Sequence, residues 1–386
     1  MVLNLLDITK NEGVNSIGGK LKRIEWGMVL LVSLLAAFGT VLLYGAAGGN
    51  WMPWALPHIV RFCMFICMMI VVAMIDIRFW YNLAYPAYAI AFLLVIAVDL
   101  FGHTALGAQR WIAIGPVRIQ PSEFMKISVV LALARYYQDI NVKNMGPLKY
   151  HIVPMIIALA PALLIMKQPD LGTGSTVALV GAFMVFLAGI YWRWIIGAVV
   201  GATSLFIIAY DFVLHDFQKK RITTFLNPEL DRMGQGYQIT QSKIAIGSGG
   251  FFGVGYMNGT QSQLDFLPER QTDFVFAMLL EEFGMMGGIF ALVLFFAIMA
   301  MGLLIARSSR HFFGKMLAGG ITILLFIYVS INAAMVMGLF PVVGMPMPFL
   351  SHGGSVMLSV LFALGLVQNV KVHRDKIMHT GFQSGK

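Results

Sequence analysis

The chain has 386 residues, of which 59% are hydrophobic and 12% are charged. A soluble domain is roughly 45–50% apolar and about 25% charged, so this composition excludes a disordered chain and argues against a soluble enzyme. The net charge of +9 comes from 27 basic and 18 acidic residues, but no basic run is interleaved with aromatic residues, which argues against nucleic-acid binding. The composition indicates an integral membrane protein.

Ten apolar segments are candidate membrane spans, since a span needs about 20 largely apolar residues. They lie near 26–47, 57–76, 82–101, 121–138, 151–167, 173–191, 194–213, 273–305, 316–340 and 351–370. The two cysteines, Cys63 and Cys67, lie within one of these segments and offer neither a disulfide framework nor a zinc site. The sequence predicts an all-α integral membrane protein, a single domain of about ten transmembrane helices over residues 1–386.

Charge predicts the orientation of this domain, because short cytoplasmic loops are enriched in Lys and Arg. Ten spans place both termini on one side, and more than half of the 27 basic residues fall on that side. We therefore expect a cytoplasmic N-terminal segment (1–25), a large extracytoplasmic loop (214–272) and a cytoplasmic tail (371–386).

The first outer-face cluster of charges precedes and begins the fourth segment. Arg110 is expected in a loop, Pro121 and Glu123 begin the segment, and Lys126 follows one turn later. A proline in a first helical turn costs no hydrogen bond, and an acidic residue there suits the helix dipole. Glu123 and Lys126 are three residues apart, so a simple ion pair is the main alternative to substrate binding.

A second cluster follows the fifth segment, and a third lies in the long loop 214–272. Asp170 stands between turn-forming residues, where a turn or a helix cap would also explain it.

The third cluster lies in the loop 214–272, and a loop of this length usually has a function. Within it, 237–246 resembles an interfacial amphipathic helix that carries Lys243. The glycine-rich stretch 247–256 is either a phosphate cradle or, as we favour, a tight turn that lies on the membrane. The remaining loop cations are interpreted as solvated surface: Lys219, Lys220, Arg221 and Arg232.

Asp273 begins the eighth segment, directly after Glu269 and Arg270. Helix capping is one explanation for an acidic residue at this position. A functional carboxylate is the other, because ionisable groups are concentrated at this membrane rim. Glu281 and Glu282 lie deeper in the same segment, where acidic side chains are costly and candidates for function.

The stretch 341–355, PVVGMPMPFLSHGGS, has three prolines and is expected to be irregular backbone. Irregular backbone near a membrane is tolerated where it lines a cavity. Taken together, the outer-face clusters offer carboxylates and cations around a cleft at membrane level. That arrangement suits an anionic, lipid-linked substrate.

Five stretches of the chain closely resemble the SEDS family (shape, elongation, division and sporulation), and within it the elongation branch. They are GAQRWIAIGPVRIQPSEFMKI, QPDLGTG, GYQITQSKIAIGSGGFFGVG, GTQSQLDFLPERQTDFVFAMLLEEFG and PVVGMPMPFLSHGGS, in the family's order. Gln271 and His352 depart from the His and Tyr that the family pattern has at these positions. The resemblance supports the fold and leaves side-chain roles at these two positions open.

The resemblance implies a peptidoglycan glycosyltransferase that polymerises lipid II on the outer face of the bacterial cytoplasmic (inner) membrane during cell elongation. It also implies two kinds of partner: a class B penicillin-binding protein that cross-links the product, and other membrane proteins of the elongation complex. By position in the motifs, Asp273 matches the family's essential aspartate. Further matches to its polar cleft are Arg110, Glu123, Lys126, Asp170 and Lys243.

The chemistry of such a transfer can be argued from the residues. An α-linked diphosphate donor that yields a β-1,4 glycan inverts, so one base, Asp273, is sufficient. The cations Arg110, Lys126 and Lys243 would stabilise the departing diphosphate. A divalent cation could share that charge, although no ligand spacing demands one. The rival interpretations are a lipid II flippase, which needs no base, and a non-catalytic scaffold.

Overall fold

The computed structural model describes residues 16–101, 103–105, 108–114, 117–140, 145–212, 219, 223–231 and 234–376. Over these residues the chain is mostly helical, and we label the helices in chain order. They are α1 (Ile17–Arg23), α2 (Trp26–Ala46), α3 (Ala55–Met74), α4 (Ile77–Phe101), α5 (Pro121–Ile140), α6 (Ile152–Lys167), α7 (Leu171–Leu187), α8 (Trp192–Phe212), α9 (Gln235–Gly249), α10 (Thr260–Gln263), α11 (Val275–Ser308), α12 (Phe312–Val336) and α13 (Gly354–Val372).

A helix lies at each of the ten positions predicted for membrane spans. Six of them, α2, α3, α4, α11, α12 and α13, are long and apolar enough to cross a membrane, and shorter apolar stretches fall in α6, α7 and α8. The tenth, α5, is less hydrophobic because it carries several charged residues. The prediction of a helical, multi-pass membrane protein is confirmed.

The centre of the bundle consists of α5, α12 and α13, which are buried along most of their length. Helix α12 packs against α5, α7, α11 and α13. The outer helices expose large apolar side chains, for example Leu30, Val60, Leu93 and Ile156. Lipid tails are as apolar as leucine, so such faces are stable in a membrane. Polar side chains on α5 and α12 are therefore shielded from lipid by the helices around them.

A small antiparallel sheet between α4 and α5 was not predicted. Its strands are β1 (His103–Ala105), β2 (Ala108–Ile114) and β3 (Val117–Ile119), in that order across the sheet. Ala113 pairs with Arg118 and Ile112 with Ile119. Arg110 lies in β2 and not in the expected loop. The short apolar run 111–114, with two isoleucines and a tryptophan, and the Gly-Pro pair that follows were the available strand and turn signals.

Helix α11 is interrupted at Gly284, and the glycine-rich stretch of the preceding segment fills the break. Gly284 has φ +65° and ψ −166°, which no helix can accommodate. Main-chain hydrogen bonds of 3.0–3.2 Å join residues 281–286 of the helix to residues 250–255. They run from Val254 to Glu281, from Gly255 to Glu282, from Met285 to Gly250 and from Met286 to Phe251, the donor first. Non-helical backbone is tolerated at membrane depth because protein groups satisfy it in this way.

Glycine is required where these two segments touch. A Cβ at Gly253 would lie 2.1 Å from the carbonyl oxygen of Glu282, and one at Gly284 would lie 2.3 Å from the nitrogen of Gly253. Both residues also have positive φ. The glycine-rich stretch thus has a packing role that the sequence did not predict. It is backbone inserted into a broken helix.

Candidate functional site

Asp273 lies immediately before α11, on the last turn of the segment that joins α8 to α11. The helix begins at Val275 with Phe274 as its N-cap residue, which makes no side-chain capping bond. Asp273 is therefore not the helix cap. Its side chain is half-buried, and a Cβ built at Gly344 would lie 3.5 Å from its Oδ2. The carboxylate thus faces the irregular segment 341–353.

Three consecutive carbonyl groups hold the turn 271–273 in place. Gln271 accepts from the backbone N–H of His352 at 2.7 Å, and Thr272 accepts from the Ser351 hydroxyl at 2.6 Å. The third carbonyl, that of Asp273, accepts from Nδ2 of Asn332 at 2.9 Å. The same Nδ2 donates to the carbonyl of Met345 at 2.6 Å. The turn is consequently attached both to α12 and to the segment that follows it.

Gln271 and His352, the two residues that differ from the family pattern, contact each other at this turn through their main chains. The Gln271 side chain points to Glu269, at 3.4 Å between Nε2 and Oε2. The His352 ring lies beside Arg61, with 3.4 Å between Nε2 and Nη1. Burial, and then the Arg61 charge, lower the pKa of His352, so its imidazole is neutral at pH 7. The contact that joins 271 to 352 needs no particular side chain, which is how this chain can differ at both positions.

Glu123 and Lys126 form a buried ion pair inside α5. Lys126 Nζ donates to Glu123 Oε1 at 2.6 Å, and both side chains are almost fully buried. Glu123 Oε2 accepts from the Tyr328 hydroxyl at 2.5 Å and from the Ser359 hydroxyl at 2.9 Å, and Lys126 also contacts Tyr328. The structure therefore contains the ion pair that was the main alternative to substrate binding. A role for either residue toward substrate stays a prediction.

One face of α12 connects these groups. Tyr328, Asn332 and Val336 are spaced four residues apart, so they follow one another along the helix at about 6 Å per step. Tyr328 contacts the Glu123–Lys126 pair, and Asn332 contacts Asp273. The Val336 carbonyl accepts from the Ser242 hydroxyl of α9 at 2.7 Å. The ion pair thus lies about one helical turn deeper than the Asp273 turn.

Asp170 is the N-cap residue of α7. Its Oδ1 accepts from the backbone N–H of Thr173 at 3.2 Å, and its Oδ2 accepts from Gln120 at 3.3 Å. The carboxylate is buried. The start of α7 also packs on the segment that faces Asp273, because a Cβ at Gly172 would lie 2.5 Å from the Val343 carbonyl oxygen. Asp170 is thus a helix cap, as one of the two interpretations of the sequence had it. A role for Asp170 toward substrate remains a prediction.

Lys243 lies on α9, the helix that the sequence predicted within 237–246. Every third or fourth residue of this helix is buried, including Ile239, Ser242 and Ala245, and it packs on α11 and α12. The Lys243 chain crosses Gly338 just past the end of α12, where a Cβ would lie 2.2 Å from Lys243 Cε. Lys243 itself is exposed. Of the two predicted diphosphate-binding cations whose side chains are described, Lys126 and Lys243, Lys243 is the more accessible.

Two further expectations concern Arg110 and metal binding. The side chain of Arg110 lies outside the described part of the structure, although its backbone belongs to β2. Among the described residues, no group of three or more His, Cys, Asp or Glu side chains is placed to hold a metal ion. The suggested divalent cation is therefore assigned no ligands from these residues.

The acidic residues deeper in α11 have structural contacts. Glu281 accepts the backbone N–H groups of Gln261 and Ser262, at 2.8 and 3.0 Å, at the start of α10. Glu282 accepts from the amide of Gln263 at 3.1 Å. These carboxylates fasten α10 to α11, which explains two costly acids within an apolar helix.

Sequence reasoning missed several polar side chains of this site: Tyr328, Asn332, Ser351 and Ser359. The available signal was polarity within an apolar segment, since polar groups in a span almost always face the protein interior. The four-residue spacing of Tyr328 and Asn332 would have placed both on one face of the helix. The partner of each remained unknown from sequence alone.

Comparisons with known proteins agree with this architecture. The family model FtsW/RodA/SpoVE, described as cell cycle protein, matches residues 25–376. The peptidoglycan glycosyltransferase MrdB of Escherichia coli K12 is 42% identical over 354 residues, covering 91% of this chain and 94% of that protein. A probable peptidoglycan glycosyltransferase FtsW of Trichlorobacter lovleyi is 37% identical over 364 residues, covering 91% and 94%.

Solved structures share the fold over nearly the whole chain. A chain from a study of the coordination of polymerization and crosslinking by a peptidoglycan synthase complex aligns with a TM-score of 0.79 and 29% identity, covering 92% of this chain and 99% of that one. The rod shape determining protein RodA of Thermus thermophilus aligns with a TM-score of 0.70 and 26% identity, covering 92% and 98%. The resemblance drawn from the five sequence stretches is confirmed: this chain belongs to the FtsW/RodA/SpoVE family of cell cycle proteins.

Proposed function

We propose that this chain is a peptidoglycan glycosyltransferase that polymerises lipid II into β-1,4 glycan strands on the outer face of the inner membrane during cell elongation. The activity class follows from 42% identity, across 91% of the chain, to a protein that carries it. The substrate is inferred from the chemistry of a lipid-linked sugar diphosphate and from the outward cations. The inner-membrane location is inferred from the family, and the placement of both termini in the cytoplasm rests on the distribution of basic residues.

The proposed base is Asp273. It would accept the proton of the acceptor sugar's 4-hydroxyl while the diphosphate of the donor departs from the opposite side. The observation that supports this assignment is the placement of the carboxylate. It is half-buried, it is not used as a helix cap, and its turn is held by three hydrogen bonds from other segments. A base needs such a defined position relative to the reacting atoms.

The diphosphate would be stabilised by Arg110, Lys126 and Lys243, where negative charge grows in the transition state. Glu123 would hold Lys126 in its orientation, as their 2.6 Å bond already does. Asp170 would keep α7 against the segment 341–353 that faces Asp273. The product undecaprenyl diphosphate would leave into the membrane.

The proposed partner is a class B penicillin-binding protein that cross-links the new glycan. Support comes from the similarity to a chain of a peptidoglycan synthase complex that coordinates polymerization and crosslinking. Other membrane proteins of the elongation complex would bind the same assembly.

The proposal is tested with purified protein and labelled lipid II in detergent, with and without the penicillin-binding protein. We expect glycan polymer that a lytic muramidase degrades, and release of undecaprenyl diphosphate. Transbilayer movement of lipid II in vesicles, without polymer in either assay, would instead favour the flippase. Neither activity in the folded, partnered protein would favour the scaffold.

A further inference from the structure

We propose that Asn332 is a positioning residue for the polymerisation reaction and that it acts through Asp273. This inference rests on the proposed function, in which Asp273 is the base. Asn332 lies one turn before the C-terminal end of α12, is fully buried, and uses both hydrogens of its amide on main-chain carbonyls. Those carbonyls belong to Asp273, before α11, and to Met345, after α12, so the two residues lie in segments that are far apart in the sequence.

The amide orientation of Asn332 follows from these two bonds. Carbonyl oxygens accept only, so the group that faces both of them must be the NH₂ group. Its Oδ1 is buried and has no hydrogen-bond partner among the described side chains and backbone. The side chain therefore supplies two donors at one point, which no apolar residue of similar size can do.

The effect of these bonds is to set the distance between the carboxylate of Asp273 and the segment 341–353. That segment faces the carboxylate at Gly344 and follows α12 in the chain. Ser351 makes the neighbouring link, because its hydroxyl donates to the carbonyl of Thr272 at 2.6 Å and accepts from the Met347 N–H at 2.8 Å. Misplacing a reacting group by about 1 Å can cost about a hundredfold in rate.

The chain offers a matched control in Asn369 of α13. It is also fully buried, its Nδ2 also donates to main-chain carbonyls, those of Val72, Ala73 and Ile75, and its Oδ1 also has no described hydrogen-bond partner. It secures the far end of α3, away from Asp273. Loss of either amide leaves buried carbonyls without a donor, so both changes should destabilise the fold comparably.

The experiment compares Asn332→Leu and Asn369→Leu in lipid II polymerisation, with rates corrected for the folded fraction measured by thermal unfolding. We expect Asn332→Leu to lower kcat by about 10- to 100-fold with little change in KM, because the base is misplaced while binding groups remain. Asn369→Leu should keep kcat within about threefold despite a similar fall in Tm.

A second comparison places Asn332→Leu in the Asp273→Asn background. Residues that act as one unit are not additive, so the further loss there should be less than about threefold. An undiminished kcat in folded Asn332→Leu, or an equally large loss in the Asp273→Asn background, would overturn the positioning role. Wild-type activity of Asp273→Asn would instead refute the proposed base, and the two failures are thereby distinguished.

If Asn332→Leu does not fold, Ser351 provides the same test. Ser351→Ala removes the donor to Thr272, whereas Ser351→Thr keeps the hydroxyl. We expect a fall in kcat for the alanine variant and substantial recovery for the threonine variant. Equal kcat values in both variants, each matching the unmodified protein, would contradict the proposal.

Discussion

Lys126 donates a hydrogen bond of 2.6 Å to Glu123, one turn apart in α5, with both side chains almost fully buried. Removing one partner of a buried ion pair typically costs about 3–5 kcal/mol, because the other charge stays uncompensated. Loss of activity in Lys126→Ala would therefore not distinguish a substrate contact from a folding defect. The test must remove both charges together.

We predict that the double variant Glu123→Gln/Lys126→Met is more stable than Lys126→Met alone. Its polymerisation rate should nevertheless stay well below that of the unmodified protein. A charge-assisted contact to the diphosphate is worth about 1.5–3 kcal/mol, or roughly 10- to over 100-fold in rate. The measurements are the thermal unfolding midpoint and the glycan formed from lipid II. Glu123→Gln alone, which keeps the cation, is the control and should be the more active once its rate is corrected for the folded fraction. Wild-type polymerisation by the double variant would show that the pair is purely structural.

Asp273→Asn should fold normally and lose polymerisation by roughly 10²–10⁴-fold, the range typical of removing a general base. The side chain keeps its size, and the N-cap of α11 is Phe274, so the substitution removes no cap. Asp170→Asn is the comparison. Asparagine still caps a helix, and we expect only a partial loss. Polymerisation by Asp273→Asn at the original rate would exclude it as the base.

The predicted orientation can be tested with a single cysteine in the segment between α10 and α11. Leu264 is 62% exposed and is followed by the charged, exposed Asp265, which favours water at this position and makes Leu264→Cys accessible to a reagent in water. The native cysteines Cys63 and Cys67 are exposed and would first be changed to alanine. We expect a membrane-impermeant maleimide to label residue 264 in intact spheroplasts. Labelling only after membrane lysis would place this segment in the cytoplasm and reverse the topology.

Acid should destabilise the protein through His311, the N-cap residue of α12. Its Nδ1 accepts from the Gly314 N–H at 2.8 Å, and burial, with a smaller effect of Lys315, lowers its pKa to about 4. The unfolded pKa is near 6.5. This stabilisation is therefore present above pH 6.5 and is lost as the pH falls toward 4, by about 1.4 kcal/mol per pKa unit.

The matched variant is His311→Asn, which can still cap the helix but does not titrate. We expect its Tm to fall less than that of the unmodified protein between pH 7.5 and pH 4.5, in detergent and at constant ionic strength. Identical acid dependence of the two proteins would show that His311 does not carry the effect.

The membrane architecture could be predicted from sequence because it depends on local properties. The length and hydropathy of each segment determine whether it can cross a bilayer, and charge in short loops biases its orientation. The small sheet at 103–119 escaped this reasoning, since three short strands leave only a weak alternating pattern. The candidate site residues also stood out as ionisable groups near the ends of apolar segments, although position alone left Asp273 open between a cap and a functional carboxylate, and the family resemblance singled it out.

Only the tertiary structure decided how those residues are used. Asp273 and Asn332 are 59 positions apart in the chain, so no local pattern could predict their hydrogen bond. The same holds for Gly253 and Gly284, which meet because the backbone of 250–255 replaces the missing helical partners of α11. Hydrophobic pattern determines that a segment is buried, whereas the partner of a buried polar group is chosen by the packing of distant segments, where each donor must find an acceptor.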